Sequence, residues 1–205
     1  MLKIYLARHG QDEDNAAGIL NGRRDKPLTE AGLRQTQESG QKAKEVGLRF
    51  DKVYASPLGR TRRTAKIIAE ITNSPEPEVL DDLIERDFGI MTGQPHSKIV
   101  EMCSPHILKS DNINYFLKPE GAETFPELLE RADRVLAEIR EKHFDGNILL
   151  VTHSDFGKMI YTAYYKLNWE EVLRMFHFGN AELLELSEES GPEDVRVFEI
   201  KQHRM

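Results

Sequence analysis

An arginine and a histidine side by side can face one anion, and Arg8-His9-Gly10 stands where a strand should end. The run Leu2 to Ala7 is rich in strand formers and alternates apolar and polar in part. Polar Gln11-Asp12-Glu13-Asp14-Asn15 then opens a loop. In open α/β sheets, ligands bind outside the carboxyl ends of the strands. Three further residues hold comparable places. His153 follows the nearly unbroken apolar run Ile148 to Thr152, which reads as a central parallel strand covered on both sides. Arg60 falls in the first turn of a helix after the strand Lys52 to Ala55, and Glu85 lies within Leu83 to Gly89. Carboxyl ends of parallel strands share one sheet edge, so His9, Arg60 and His153 can converge there.

The elements that must position these residues alternate between strand-like and helix-like, which predicts an α/β layer fold. Thr29 is placed to cap a helix running to about Gly47. Ser56-Pro57 supplies an N-cap and an N1 proline for the helix carrying Ala65, Ile68 and Ile71. Thr124-Phe125-Pro126-Glu127 has capping-box spacing, and the helix it opens bears Leu128, Ala132, Val135, Leu136 and Ile139 on one face. Ser154 is expected to cap the helix after the second histidine. Ala181 to Leu186 and Val195 to Ile200 read as two final strands, with a turn over 188–192. The stretch from Pro75 to Pro119 is irregular and too long for a simple connection; such segments are often lids or binding elements.

At 205 residues with no internal repeat, the chain is expected to form one domain, 1–205. Cys103 is the only cysteine, which excludes an internal disulfide and a Cys-rich metal site. The longest aliphatic run, Ile148 to Val151, is far too short to cross a bilayer, and the amino terminus lacks an apolar signal region. A cytoplasmic location and no membrane partner are therefore expected. The formal charge of −7 argues against general nucleic-acid binding. An anion site in so acidic a protein needs locally focused cations, for which Arg8, Arg23, Arg24, Arg60, Arg62 and Arg63 are the candidates.

The chain resembles the histidine phosphatase superfamily, the phosphoglycerate mutase-like proteins, and its branch 1 phosphatases in particular. Leu6-Ala7-Arg8-His9-Gly10-Gln11 through Asn15 matches the signature loop. Asn21 to Gly32 matches the next block, Ala55 to Ala65 the block with the second arginine, and Glu85 and His153 the later acid and histidine. The similarity runs in order from residue 2 to about 186. Any one block is weak, but the ordered set is specific.

The resemblance implies a three-layer α/β/α sandwich with a mostly parallel central sheet, and a variable lid over about 92–123. It implies hydrolysis of a phosphomonoester, a small phosphorylated metabolite, without metal or other cofactor. His9 attacks phosphorus and becomes a phosphohistidine, dividing one displacement into two. Arg8 and Arg60 offer charged planar forks to the phosphoryl oxygens. Asn15, His153 and the Ser154 backbone add donors, and Glu85 protonates the leaving alcohol. Gly22 and Arg23 are expected to touch the substrate, while Arg62 and Arg63 lie at the surface or the substrate rim. His96, His106, His143, His177 and His203 are read as ordinary surface or packing residues, and flanking arginines disfavour a metal between His9 and His153. Ser154 departs from the glycine that often follows the second histidine, which bears on pocket shape rather than reaction class. Two other readings stand beside hydrolysis: a phosphoglycerate mutase with the same nucleophile, and an inactive phospholigand-binding module. A homodimer is compatible with the family.

Overall fold

The computed structural model describes residues 1–110, 113–189, 191–200 and 202. In chain order the elements are β1 (Leu2–Arg8), α1 (Glu13–Ala17), α2 (Glu30–Glu45), β2 (Lys52–Ala55), α3 (Gly59–Ile71) and β3 (Glu78–Val79). They continue with α4 (Ile99–Cys103), β4 (Ile107–Lys109), β5 (Asn114–Phe116), α5 (Phe125–Lys142), β6 (Gly146–Thr152), α6 (Ser154–Tyr165), α7 (Trp169–Met175), β7 (Leu183–Leu186) and β8 (Arg196–Phe198). Six strands form one sheet in the order β3-β2-β6-β1-β7-β8. β3, β2, β6 and β1 are parallel, while β7 and β8 each run antiparallel to the preceding strand in that order. The mostly parallel α/β sheet expected from the sequence is thus present.

Alternation along the strands sorts the core into two layers. Ile4, Leu6, Ile148 and Leu150 pack with Leu128, Val135, Phe156 and Ile160 from α5 and α6. Tyr5, Ala7, Val53, Leu149 and Val151 face the other way, against Ala65 and Ile68 of α3. Successive strand side chains point to opposite faces, so each strand serves both layers.

Register then fixes the site. Ala7 pairs with Val151 and Arg8 with Thr152, while Ala55 pairs with Val151 from the other side. The residues that follow, His9, His153 and Ser56, therefore leave three adjacent strands at one edge. The His9 N–H continues the ladder to Thr152 O at 3.0 Å. Gly10 is required by the approach of α2: a Cβ there would lie 2.4 Å from the Gly32 carbonyl oxygen.

Local signals held where partners are local. Thr29 caps α2, which ends at Glu45, and Thr124 and Glu127 form the reciprocal capping box of α5. Two caps do not form as expected. α3 begins at Gly59 with Leu58 in the capping position; the Gly59 N–H is taken by the Asp25 carboxylate at 2.8 Å, and the Ser56 hydroxyl is bonded to His153. Ser154 is the first residue of α6 rather than its cap. The final strands are shorter than expected, since Ala181 takes a positive φ of 58° and β7 starts only at Leu183. The irregular stretch before α5 holds the edge strand β3, three short 3₁₀ turns, α4 and the β4–β5 hairpin. His203 lies outside the described residues. No helix among those described is long and apolar enough to cross a membrane.

Candidate active site

His9 is 2% exposed at the end of β1. Its Nδ1 lies 2.7 Å from the Gly10 carbonyl oxygen. A carbonyl only accepts, so Nδ1 carries the proton and the Nε2 lone pair is left for chemistry. The sequence could not show this acceptor, since it is backbone. Burial, then the Arg60 and Arg8 charges, holds the His9 imidazole well below its ordinary value, so the ring is neutral near pH 7.

Arg60 is buried and lies between the two histidines. Its Nε is 3.2 Å from His9 Nε2, and its Nη2 is 3.1 Å from His153 Nδ1 and donates to Gly22 O at 2.8 Å. Its Nη1 donates to the Arg24 carbonyl. Asp12, fully buried, places Oδ2 3.4 Å from Arg60 Nε and accepts a 2.6 Å bond from Asn21 on the same oxygen. His153 is held well below its ordinary value by burial, then by Arg60 and His9, and is neutral too. With Nδ1 accepting from Arg60, His153 donates from Nε2 to the Ser56 hydroxyl at 2.8 Å. In this arrangement both nitrogens of His153 are engaged within the protein. A donor role toward phosphate requires Arg60 to turn its guanidinium from the rings to the ligand.

A cavity of about 110 Å³ opens beside His9, lined by Arg8, Asn15, Glu85, Ser154 and further residues from the variable stretch. Arg8 donates from Nη1 to Phe178 O at 2.7 Å, while its buried Nε has no hydrogen-bond partner. The Asn15 amide oxygen accepts from Asn180 Nδ2 at 3.0 Å, which leaves its NH₂ as the donor toward the cavity. Asn180 also donates to His9 O at 3.3 Å, so one amide braces two parts of the loop.

Glu85 is almost wholly buried. Its carboxylate accepts the N–H groups of Arg86 at 2.8 Å, Phe156 at 3.1 Å and Asp155 at 3.4 Å. Two of these are first-turn donors of α6, so Glu85 caps that helix from 70 residues away. The amino end of α6 therefore serves the acid more than the phosphate. Burial and the neighbouring Asp155 charge raise the Glu85 carboxyl above its ordinary value, against the opposing pull of the Arg86 and Phe156 amides.

The remaining expected residues are placed as follows. Gly22, at φ 50°, presents its carbonyl to Arg60. Arg23 sits outside the cavity lining; it donates to Glu85 O at 3.1 Å and pairs with Asp87 at 3.2 Å and Glu123 at 3.4 Å, bracing the segment that carries the acid. Arg62 and Arg63 are exposed. His106 and His177 are exposed, and His143 bonds the Tyr54 hydroxyl at 3.0 Å. His96 is exposed, as expected, and also lines the His9 cavity with Ile99, Tyr115 and Phe116. Met91 is buried behind the cavity wall, packed in one cluster with the lining residues Leu20, Phe88, Ile99 and Phe116. Sequence reasoning passed over Asp12, Ser56, Asn180, Arg86, Asp155 and Lys158. Of these only Lys158 carries a sequence signal, a lone lysine inside the apolar run of α6. Among the described residues, no group of three or more His, Cys, Asp or Glu side chains is placed to hold a metal ion.

A mostly parallel sheet here delivers two neutral imidazoles and one shared guanidinium to a single edge, the edge at which open α/β proteins bind their ligands. The native structure of a mycobacterial glucosyl-3-phosphoglycerate phosphatase shares this fold, with a TM-score of 0.77 at 21% identity over 98% of this chain and 97% of that one. The family model of the histidine phosphatase superfamily, branch 1, matches residues 4–201, and the chain belongs to that family. It is 31% identical to a 2,3-bisphosphoglycerate-dependent phosphoglycerate mutase of Parvibaculum lavamentivorans, over 84% of each chain. It is also 31% identical to a metal-independent phosphoserine phosphatase of Arabidopsis thaliana, over 78% of this chain and 67% of that protein. Members of the family are thus phosphatases or mutases.

Proposed function

We propose that this protein is a metal-independent phosphomonoesterase that works through a phosphohistidine on His9. The observation that carries the reading is the Nδ1 contact to Gly10 O, which leaves Nε2, at rest accepting from Arg60, as the deprotonated nitrogen of a neutral, buried ring that lines a cavity shared with Glu85. The His9 Nε2 lone pair forms a bond to phosphorus as the ester P–O bond breaks. The leaving oxygen takes the proton of the Glu85 carboxyl, whose raised pKa favours the acid form. Arg8, Asn15 and a reoriented Arg60 neutralise and position the equatorial oxygens. Water then attacks the phosphohistidine, Glu85 takes its proton, the P–N bond breaks, and phosphate leaves.

The test is phosphate release from a panel of phosphomonoesters by the full chain and by His9→Ala, with an alkaline denaturing quench to trap the labelled histidine. Release by the parent, none by the variant, and an acid-labile adduct on His9 support the reading. Conversion of 3-phosphoglycerate to 2-phosphoglycerate without free phosphate would make the protein a mutase. Binding of vanadate with no turnover of any ester would make it a phospholigand-binding module.

A further inference from the structure

Lys158 is a buried cation for which the phosphoryl chemistry has no role. It stands in the second turn of α6 and is 1% exposed. Its ammonium donates to the Tyr115 hydroxyl at 2.6 Å and lies 4.8 Å from that ring's centroid. The nearby acid, Asp155, is already paired with Arg86 at 2.9 Å, and among the described residues no carboxylate oxygen lies within 4.0 Å of Lys158. An ammonium taken out of water without a counter-charge is costly. Burial accordingly pulls the Lys158 amine down to about 8. Beside it, Arg86 is fully buried between the Phe116 and Phe125 rings, each 4.2 Å from its guanidinium carbon, and its Nη2 has no hydrogen-bond partner. Lys158, Tyr115 and Arg86 all line the same cavity as His9 and Arg8.

We propose that Lys158, with Tyr115 and Arg86 beside it, is a second anion subsite in the His9 cavity, and that the substrate is a phosphomonoester whose carbon skeleton carries a carboxylate. The proposal rests on the phosphatase reading of His9. Lys158 lies four residues along α6 from Ser154, about 6 Å of helix rise, and both line the cavity, so a second anion can be held about one helical turn from the first. A carboxylate matches the site better than a second phosphoryl group. It carries one negative charge against one unpaired ammonium, and its two oxygens suit the Lys158 and Arg86 donors. The cavity of about 110 Å³ suits a small acid. Tyr115 comes from the variable segment, so the stretch that differs most from a simple connection would also hold specificity.

The test compares 3-phosphoglycerate with glycerol 3-phosphate, which differ at the carboxylate. Steady-state kcat/KM is measured for the full chain, and affinity by calorimetry in a His9→Ala background that blocks turnover. The expected result is at least a tenfold preference for the carboxylated ligand, reduced at least fivefold by Lys158→Met and shifted the same way by Tyr115→Phe. Equal treatment of the two ligands by the parent overturns the proposal whatever the variants do. So does an equal weakening of both ligands by Lys158→Met, which would place Lys158 on the phosphoryl group. Absence of phosphate release from either compound counts against the phosphatase reading alone, because the calorimetric comparison still decides the subsite.

Discussion

The Nε of Arg60 lies 3.2 Å from the Nε2 of His9, so the guanidinium rests on the nitrogen to which the proposed mechanism gives the attack on phosphorus. The same group reaches His153 Nδ1 at 3.1 Å. One arginine therefore links the two rings, whose centroids are 5.2 Å apart. Burial, and after it the positive charge of Arg60, keeps both imidazoles unprotonated.

Replacing Arg60 should therefore act twice. Arg60→Ala removes charge-assisted bonds to the phosphoryl oxygens, each worth roughly 1.5–3 kcal/mol, and raises the His9 pKa toward its ordinary value. We expect kcat/KM to fall by about 10- to 150-fold per bond lost, at about 1.4 kcal/mol per decade, and the acid limb of the pH profile to move to higher pH. Steady-state kinetics from pH 4 to 8 measure both. Arg60→Lys should restore the acid limb but not the rate, since one ammonium cannot span His9, His153 and Gly22 together.

Asp12 deserves separate treatment because it does not line the cavity, yet it faces Arg60 at 3.4 Å with no exposure to water. Asp12→Asn keeps the shape and removes the counter-charge. Breaking a buried pair from one side costs about 3–5 kcal/mol, so the variant should unfold at lower temperature. Its kcat should fall more than its KM rises, because a misplaced guanidinium fails mainly in the transition state. A loss of stability with unchanged kcat would reduce Asp12 to a structural role.

The pH dependence follows from two opposite shifts. His9 must be neutral to attack, and burial with Arg60 and Arg8 depresses its pKa, so activity survives to pH values well under 6.5. Glu85 must be protonated to donate, and burial with Asp155 raises its pKa above 4.5, so activity falls as pH rises through that raised value. The profile of kcat/KM should be a bell whose acid limb belongs to His9 and whose alkaline limb belongs to Glu85. Glu85→Gln should lose most of the rate with alkyl phosphates. It should lose little with p-nitrophenyl phosphate, whose phenolate leaves without a proton. Equal losses with both esters would remove Glu85 from the acid role.

What could be read from the sequence follows a physical line. The strand that ends at His9 and the strand that ends at His153 are legible because apolar runs stop abruptly at residues that bond or ionise. The Thr124–Glu127 capping box is legible because both partners sit within one turn. Ser56 and Ser154 were misjudged for the opposite reason. Each has capping chemistry for the next helix, but the Ser56 hydroxyl finds His153 across 97 residues, and α6 takes its cap from Glu85. Arg23 shows the same limit: its partners, Glu85, Asp87 and Glu123, come from segments distant in sequence. Charge type and spacing locate a group near an edge; only tertiary contacts decide which donor meets which acceptor.

Asp155 joins the acid to the cavity wall, and its removal should separate stability from chemistry. It pairs with Arg86 at 2.9 Å, and its charge is one of the causes that raise Glu85. Arg86 has no exposure to water. Asp155→Asn therefore strands a buried cation at about 3–5 kcal/mol, which in a chain of 205 residues lowers Tm on the order of 10 °C. Glu85, relieved of a like charge, should ionise more readily. The alkaline limb of kcat/KM should then shift to lower pH while the His9 limb stays in place. A drop in Tm with an unmoved alkaline limb would mean that burial alone sets the Glu85 proton affinity, and that Asp155 serves only to seat Arg86.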